Sequence, residues 1–381
     1  MKVLYDTQCF DMQKIGGVSR YFFELMKYQR EHNTLIFPYE YTDNIYLKES
    51  RFNDFKKSPN EYSDFLGGLE FKGKWRLFQF KNRLCHPKTI KDYNREKTIE
   101  LLKQQDFDVF HPTYYDPYFL EYLGDKPFVL TIHDMIHEKY PEFYLGAGEV
   151  KNKKLLAEKA AKIIAISGST KKDIIDIYGK EFESKIETVY HGSSLKAGNA
   201  EKTDFKSLYG KYILFTGSRN AYKNFYSTVH FMADFLNENN MNLVCTGSSF
   251  SDQELKYFSD INLSDRIKHH FAGEAEIYDL YNQAECFIFP SYYEGFGIPV
   301  LEAFECNVPC ILADASCFRE IGGDACLYFN PKSKEELLKA LSCAINPENR
   351  KKMIEAGYSR LQSFSWEKTA AKTDCIYKSV L

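Results

Sequence analysis

Residues 286–331 read CFIFPSYYEGFGIPVLEAFECNVPCILADASCFREIGGDACLYFNP, and they decide the fold. The apolar run 286–289 has the length and continuity of a buried strand. It stops at Pro290, and a loop carrying Gly295 and Gly297 follows. Pro299 then opens an apolar helical segment, 300–305. Strand, glycine loop and proline-started helix together make an anion site, because free backbone N–H groups and the positive end of the helix dipole point into the loop. Two carboxylates flank it: Glu294 before the glycines, and Glu302, placed by this reading in the first helical turn. A carboxylate beside a phosphate cradle is out of place unless the ligand also carries hydroxyls. A vicinal diol donates two hydrogen bonds to one carboxylate. A nucleotide-sugar has two such polyols, ribose and hexose, separated by a diphosphate.

The same grammar extends in both directions. Strands are expected at 3–5, 34–37, 109–111, 128–132, 163–166 and 187–190, with helices at 18–30, 97–105 and 150–162. Ser167 is placed to cap a further helix, 170–178. A polar stretch, 196–206, reads as a linker. The pattern restarts with strands at 212–216, 242–246, 267–271, 286–289, 310–312 and 327–328, helices at 224–237, 276–283 and 300–305, and closing helices. Short strands without polar alternation belong to parallel sheets covered on both faces. Two such runs predict an α/β protein of two doubly wound, Rossmann-like domains with ligands at the carboxyl ends of their strands. The expected division is 1–195 and 207–362, with a last helix in 363–381 packing back on the first domain.

Composition narrows the class. A chain of 381 residues exceeds one ordinary core. A net charge of −3 argues against a polyanion binder, so no nucleic acid partner is expected. No apolar run approaches the length of a spanning helix. The first residues lack a signal-peptide pattern. The ten cysteines show no CxxC spacing, which fits reduced thiols and a cytoplasmic location.

Residues 44–91 break the alternation as an insertion. Within 71–91 there are seven Lys or Arg and no Asp or Glu, interleaved with aromatics. Lys72, Lys74, Trp75, Arg76, Lys81 and Arg83 carry two readings. One is a solvated helix packed by its aromatics. The other is a patch meeting an anionic membrane at its inner face, or a lipid diphosphate acceptor.

Other candidates sit at strand ends. Gly16 and Gly17 lie at the first strand-to-helix junction, with Arg20 one turn in. They fit a tight turn, or close approach of backbone to a diphosphate or acceptor, and lack the GxGxxG fingerprint. His133 and Asp134 end a strand. His137 is four residues on, but no third ligand accompanies the pair, so no metal is expected. His133 fits a structural role, or contact with a substrate hydroxyl or a developing positive charge. Gly217 ends another strand before Arg219 and Lys223. These two read as a surface pair or as a grip on one diphosphate. Gly247 and Gly273 end neighbouring strands, placing several glycine loops on one rim.

These residues carry a family resemblance. GGVSRYFFEL, TIHDMIHEKYP, IAISGST, VYHGSS, ILFTGSRNAYKN, the long 289–331 stretch and SFSWEKTA occur in this order. The chain resembles the retaining, GT-B-fold glycosyltransferases of family 4 (group 1, mannosyltransferase-like), over all but about 44–91. The resemblance implies two domains facing across a cleft and hexose transfer from a nucleotide-diphosphate sugar with retention. GDP-mannose is favoured and a UDP-sugar is the other donor considered. The acceptor implied is a glycan or lipid-linked glycan of cell-surface polysaccharide. It implies that Glu294 meets donor-sugar hydroxyls and Glu302 the ribose, that Arg219 and Lys223 hold the diphosphate, that His133 lies beside the sugar and Gly17 beside the diphosphate. Gly217, Gly295, Phe296, Gly297 and Ile298 complete the donor site, and no cofactor or metal is implied. VYHGSS departs from the family's usual asparagine before the glycine, and His191 is read as a hinge-side residue. The alternatives are a nucleotide-sugar epimerase on the same fold and a non-catalytic nucleotide-sugar-binding subunit.

Overall fold

The computed structural model describes residues 1–50, 55–56, 62–143, 148–195, 202–219 and 221–381. The first half begins with β1 (Lys2–Tyr5), α1 (Gln8–Met12), α2 (Gly17–Gln29), β2 (Thr34–Ile36) and α3 (Ile45–Glu49). It continues through α4 (Lys74–Cys85), α5 (Ile90–Gln104), β3 (Val109–His111), β4 (Val129–Ile132) and α6 (Ile136–Lys139). It ends with α7 (Gly148–Lys159), β5 (Lys162–Ala165), α8 (Gly168–Tyr178) and β6 (Ile186–Thr188). Strands order β2-β1-β3 and β4-β5-β6, all parallel, and an isolated parallel bridge from Phe110 to Phe128 joins the two ladders.

The second half runs α9 (Phe205–Tyr209), β7 (Tyr212–Phe215), α10 (Phe225–Glu238), β8 (Asn242–Cys245), α11 (Asp252–Asp260) and β9 (Ile267–His269). Then come α12 (Glu274–Asn282), β10 (Cys286–Phe289), α13 (Ile298–Glu305), β11 (Cys310–Ala313), α14 (Phe318–Gly322) and β12 (Cys326–Phe329). Helices α15 (Lys334–Ala344), α16 (Pro347–Leu361) and α17 (Trp366–Lys378) close the chain. Its six parallel strands order β12-β11-β10-β7-β8-β9. The direction of winding reverses between β7 and β10. That crevice is where a doubly wound sheet takes its ligand.

All four residues of β7, β10 and β11 are buried, which is why these strands read as unbroken apolar runs. Two apolar clusters cover the faces of the second sheet, one around Phe287, Leu301 and Phe318, the other around Phe215, Met232 and Leu243. Helix α17 crosses back and packs on α2. Its Tyr377 hydroxyl meets the Tyr5 hydroxyl at 2.8 Å and His111 Nδ1 at 2.5 Å, and Gln29 Nε2 donates to Asp374 at 2.7 Å.

The structure corrects several boundaries. Helix α5 begins at Ile90, not 97, because Thr89 and Asp92 form a capping box. Helix α11 was not expected; the Ser251–Glu254 capping box starts it, and it supplies the crossover that parallel neighbours β8 and β9 require. Helix α13 begins at Ile298, so Glu302 lies beyond the first turn. Of the expected linker, 196–201 lies outside the described residues, and Phe205 already starts α9. Residues 51–54 and 57–61 of the expected insertion likewise lie outside them.

Candidate active site

The crevice between β7 and β10 brings their following loops together. Lys223, after β7, places Nζ 2.5 Å from Glu294 Oε1, after β10. Both side chains are largely enclosed, at 13% and 15% exposure. The Glu294 backbone N–H donates to Ser316 Oγ at 3.0 Å, and the Lys223 ammonium stands 5.3 Å from the Phe289 ring centre. The cation assigned to the diphosphate and the carboxylate assigned to the adjoining sugar are thus paired with each other.

Arg219 does not share that point. It is buried and forks onto Glu254, with Nε to Oε1 at 2.5 Å and Nη2 to Oε2 at 3.3 Å. Nη2 also donates to the Ser248 and Ser249 carbonyls, and the guanidinium lies over the Phe250 ring at 4.8 Å. Nη1 is buried without a hydrogen-bond partner among the described residues. Burial pushes the Glu254 carboxyl up, but hydrogen bonds from Arg219 and Ser251 outweigh it and hold it down at about 2. Arg219 is therefore a fixed cation with one nitrogen, Nη1, to spare. The sequence reading missed Glu254, and nothing in its spacing pairs it with Arg219.

Glu302 faces the other domain. Its Oε1 accepts from Arg20 Nη1 at 2.8 Å, and its Oε2 from the Tyr281 hydroxyl at 3.2 Å. Helix α2 carries Arg20 across the cleft because the Gly16-Gly17 turn starts that helix at the carboxyl end of β1. A Cβ built on Gly17 meets nothing within 4 Å, so its surroundings are open. The same holds at Gly217, where φ is +99°.

Among the glycines, Gly295 makes the closest approach between the halves. A Cβ there would stand 1.9 Å from the His133 carbonyl oxygen. The Gly295 carbonyl accepts from Ser167 Oγ at 2.6 Å and from Thr170 Oγ1 at 3.3 Å. Ser167 thus caps α8, through the Thr170 N–H, and also clasps the opposite domain. Nearby, Tyr293 Oη accepts from the Met135 N–H and donates to Asp173 at 2.8 Å. The Glu320 carboxylate accepts from the Gly168 and Ser169 N–H groups at the start of α8, at 2.5 and 2.9 Å. Negative charge at a helix N-terminus is favourable. The sequence reading missed Tyr281, Tyr293 and Glu320. Tyr293 follows β10, but Tyr281 lies within α12 and Glu320 within α14, and the partners of Tyr293 and Glu320 lie in the other half of the chain.

His133 ends β4 beneath this contact, and its N–H donates to Tyr115 Oη at 3.1 Å. Its Nε2 is buried without a partner among the described residues. Burial pushes the imidazole down to about 4; Asp134 opposes the shift and Lys153 adds to it. His133 is neutral at neutral pH. His191 is enclosed by Tyr21, Phe296 and Trp366 where the chain leaves the first half, and burial holds it well below its ordinary value too.

The remaining donor-site residues divide by what they present. Gly297, at φ +92°, sits in the left-handed region that lets the loop turn into α13. The Phe296 side chain is turned into the core against His191, and Ile298 is half-buried against the same apolar cluster. Lys72, just before α4, and Arg76 and Arg83 within it are exposed and Lys81 is half-buried, with Trp75 and Phe80 exposed beside them. Lys74 corrects the expectation of a surface cation. It is fully buried, bonded to Glu70 at 2.8 Å, with its ammonium 4.7 Å from the Tyr62 ring centre. Phe78 is buried against Tyr62, Phe65 and Trp75.

Two parallel doubly wound halves facing each other across a crevice at the switch point make the GT-B fold of glycosyltransferases. The chain belongs to the group 1 glycosyltransferases, family 4: the model for Glycosyltransferase Family 4 matches residues 15–196 and that for Glycosyl transferases group 1 matches 200–360. It is 24% identical to the O-antigen chain mannosyltransferase B of Escherichia coli, over 99% of this chain and all of that protein. It is 26% identical to the O-antigen chain mannosyltransferase RfbU of Salmonella typhimurium, over 56% of this chain and 59% of that protein. The fold matches sucrose-phosphate synthase of Thermosynechococcus elongatus with a TM-score of 0.72 at 18% identity, covering 100% of this chain and 98% of that one. It matches Anabaena Alr3699/HepE, solved with UDP and glucose, with a TM-score of 0.71 at 16% identity over 99% of both. Among the described residues no helix is long and apolar enough to cross a membrane.

Proposed function

We propose that the protein transfers mannose from GDP-mannose, with retention of anomeric configuration and without a divalent metal. The acceptor is a glycan or lipid-linked glycan of a cell-surface polysaccharide, met in the cytoplasm at the inner face of the membrane. The observation that carries this reading is the Lys223–Glu294 pair beside the glycine loop, with Glu302 one helical turn away. The sequence relatives named as mannosyltransferases support the sugar, and the HepE complex supports a nucleotide-sugar donor.

The donor divides the pair. Its sugar hydroxyls donate to Glu294, which releases the Lys223 ammonium to the diphosphate. Arg219 adds its spare Nη1 donor. These fixed cations and the N–H groups before α13 stabilise the charge that grows as the bond from C1 to the phosphate oxygen breaks. The acceptor oxygen bonds to C1 on the same face, and its proton passes to the departing phosphate oxygen. No side chain is needed as a base, which suits a neutral His133 placed as a contact for a sugar hydroxyl.

The test is incubation with GDP-mannose and a panel of UDP-sugars in the presence of EDTA, with the anomer released to water or acceptor followed by NMR. Turnover of GDP-mannose to an α-product is expected. A β-product sinks retention, loss of activity in EDTA that magnesium or manganese restores sinks the metal-free mechanism, and turnover of a UDP-sugar alone sinks the donor assignment.

A further inference from the structure

The geometry points to Glu24 as a reader of the donor's base, supplied by the domain opposite the one that grips the phosphates; this rests on the donor reading above. A cavity of about 860 Å³ lies between α2 and α3 on one side and the carboxyl ends of β7, β8 and β9 on the other. Glu302 lines it, whereas Lys223, Glu294 and His133 do not, so it extends from Glu302 away from the phosphate and sugar end of the cleft. A ribose held by Glu302 directs its base into this space.

The second domain's wall there is chemically bland. Phe271, Ala272, Gly273 and Ile277 offer apolar surface and backbone, and Thr216 and Thr246 offer hydroxyls. The first domain's wall is different. Glu24 lines the cavity at 5% exposure, and its Oε2 is buried and accepts no hydrogen bond among the described residues. Lys27 Nζ stands 3.5 Å from that oxygen, on a side chain half exposed to solvent, and gives charge without a hydrogen bond. A buried carboxylate oxygen lacking a donor is costly unless a ligand supplies one.

Position fits the span of a nucleoside. Arg20 touches Glu302, and Glu24 lies four residues along the same helix, about 6 Å of rise toward the far end of the cavity. That is the order of the separation between a ribose hydroxyl and the outer edge of a base. Guanine presents two adjacent donors on that edge, N1–H and the 2-amino group, which a carboxylate accepts as a fork. Uracil presents one N–H between two carbonyls that a carboxylate repels. Adenine offers an amino group beside a lone pair. Glu24 therefore selects guanine over both.

Titration calorimetry with GDP, IDP and UDP tests this in the unmodified chain and in Glu24→Gln and Glu24→Ala. IDP keeps N1–H but lacks the 2-amino group. The unmodified chain should bind GDP about tenfold or more tighter than IDP or UDP, the loss expected when a hydrogen bond to a charged group is removed. Glu24→Gln should weaken GDP to the level of IDP and leave UDP unchanged, which also certifies the fold. Equal binding of GDP and IDP by the unmodified chain overturns the assignment, as does a Glu24→Gln variant that keeps the GDP preference. Tighter binding of UDP than GDP overturns it while leaving the transferase reading standing. Failure of the unmodified chain to bind any of the three removes the donor reading itself.

Discussion

Replacing Gly295 by alanine isolates the contact between the halves. The added Cβ would lie 1.9 Å from the His133 carbonyl oxygen, 3.0 Å from its carbon and 3.2 Å from Asp134 Cβ. Carbon and oxygen approach no closer than about 3.3 Å even in weak hydrogen bonds. The two segments must part by more than an ångström, and none of these three atoms is the far end of a flexible side chain. His133 is fixed at the end of β4 by Tyr115, so the loop of the second domain gives way. It takes with it the bonds from Ser167 and Thr170 to the Gly295 carbonyl, at about 0.5–1.5 kcal/mol each. Overpacking of this kind costs about 1–3 kcal/mol where nothing yields. A net shift of about 2–4 kcal/mol against the apposed arrangement corresponds to roughly 30- to 1,000-fold in its population. Donor turnover, kcat/KM, should fall by at least about 30-fold. Small-angle scattering should show a larger radius of gyration, and the melting temperature should hold because each half keeps its own core. Nucleoside diphosphate affinity should change less, since most of the proposed grip lies in the second half. Unchanged turnover with unchanged scattering would refute the reasoning. A collapse in thermal stability would refute it differently, by showing that the glycine serves the fold and not the apposition.

Gly17→Ala makes the opposite case: its Cβ has free space, so stability should stay within about 1 kcal/mol while turnover drops by about 10²-fold if the diphosphate lies against that backbone. Wild-type kinetics would remove Gly17 from the site. Lys223→Ala should lower kcat by about 10²–10³ while raising KM far less, because leaving-group charge peaks in the transition state; a KM effect alone would mean that Lys223 holds only the ground state. The imidazole of His133 is held at about 4 against an ordinary 6.5, so the unfolded chain takes up the proton first on acidification. Its contribution is complete above pH 6.5 and is lost as pH falls to 4. His133→Asn should therefore shrink the stability lost between pH 7 and pH 4 by about 3 kcal/mol in urea melts; an unchanged profile would show that His133 titrates normally. Lys72, Arg76 and Arg83 changed together to Gln should abolish sedimentation with anionic vesicles at low salt, at about 1 kcal/mol for each cation near the surface, whereas buried Lys74 should not act as a surface cation. If the unmodified chain ignores such vesicles, α4 has no membrane role.

The glycine loop, the flanking glutamates and the alternation of strand and helix were legible because each is local. Residues 286–289 form a strand and the helix after Gly297 starts within two residues of its expected place. Pairing across the cleft was not legible. Arg20 and Glu302 stand 282 positions apart, and Arg219 looked free for an anion because its fork on Glu254 depends on a helix, α11, that the pattern did not reveal. Lys74 misled for a related reason. Charge density predicts exposure, but one lysine of the basic run points inward at Tyr62, satisfied by Glu70 just outside the counted window.

The return of α17 to the first half sets an order of assembly. Trp366, Ile376 and Tyr377 belong to the same apolar cluster as Val3, Tyr5 and Phe22, and the Tyr377 hydroxyl completes a buried polar chain with Tyr5 and His111. Domains emerging from a ribosome generally fold as units, the first one first. Here the half synthesised first lacks part of its core until residues 366–378 have been made. Until then the Tyr5 and His111 side chains wait for their partner, and the second half folds while the first is unfinished. The domain begun first is the one completed last, so chaperone demand during synthesis should concentrate on the amino-terminal half.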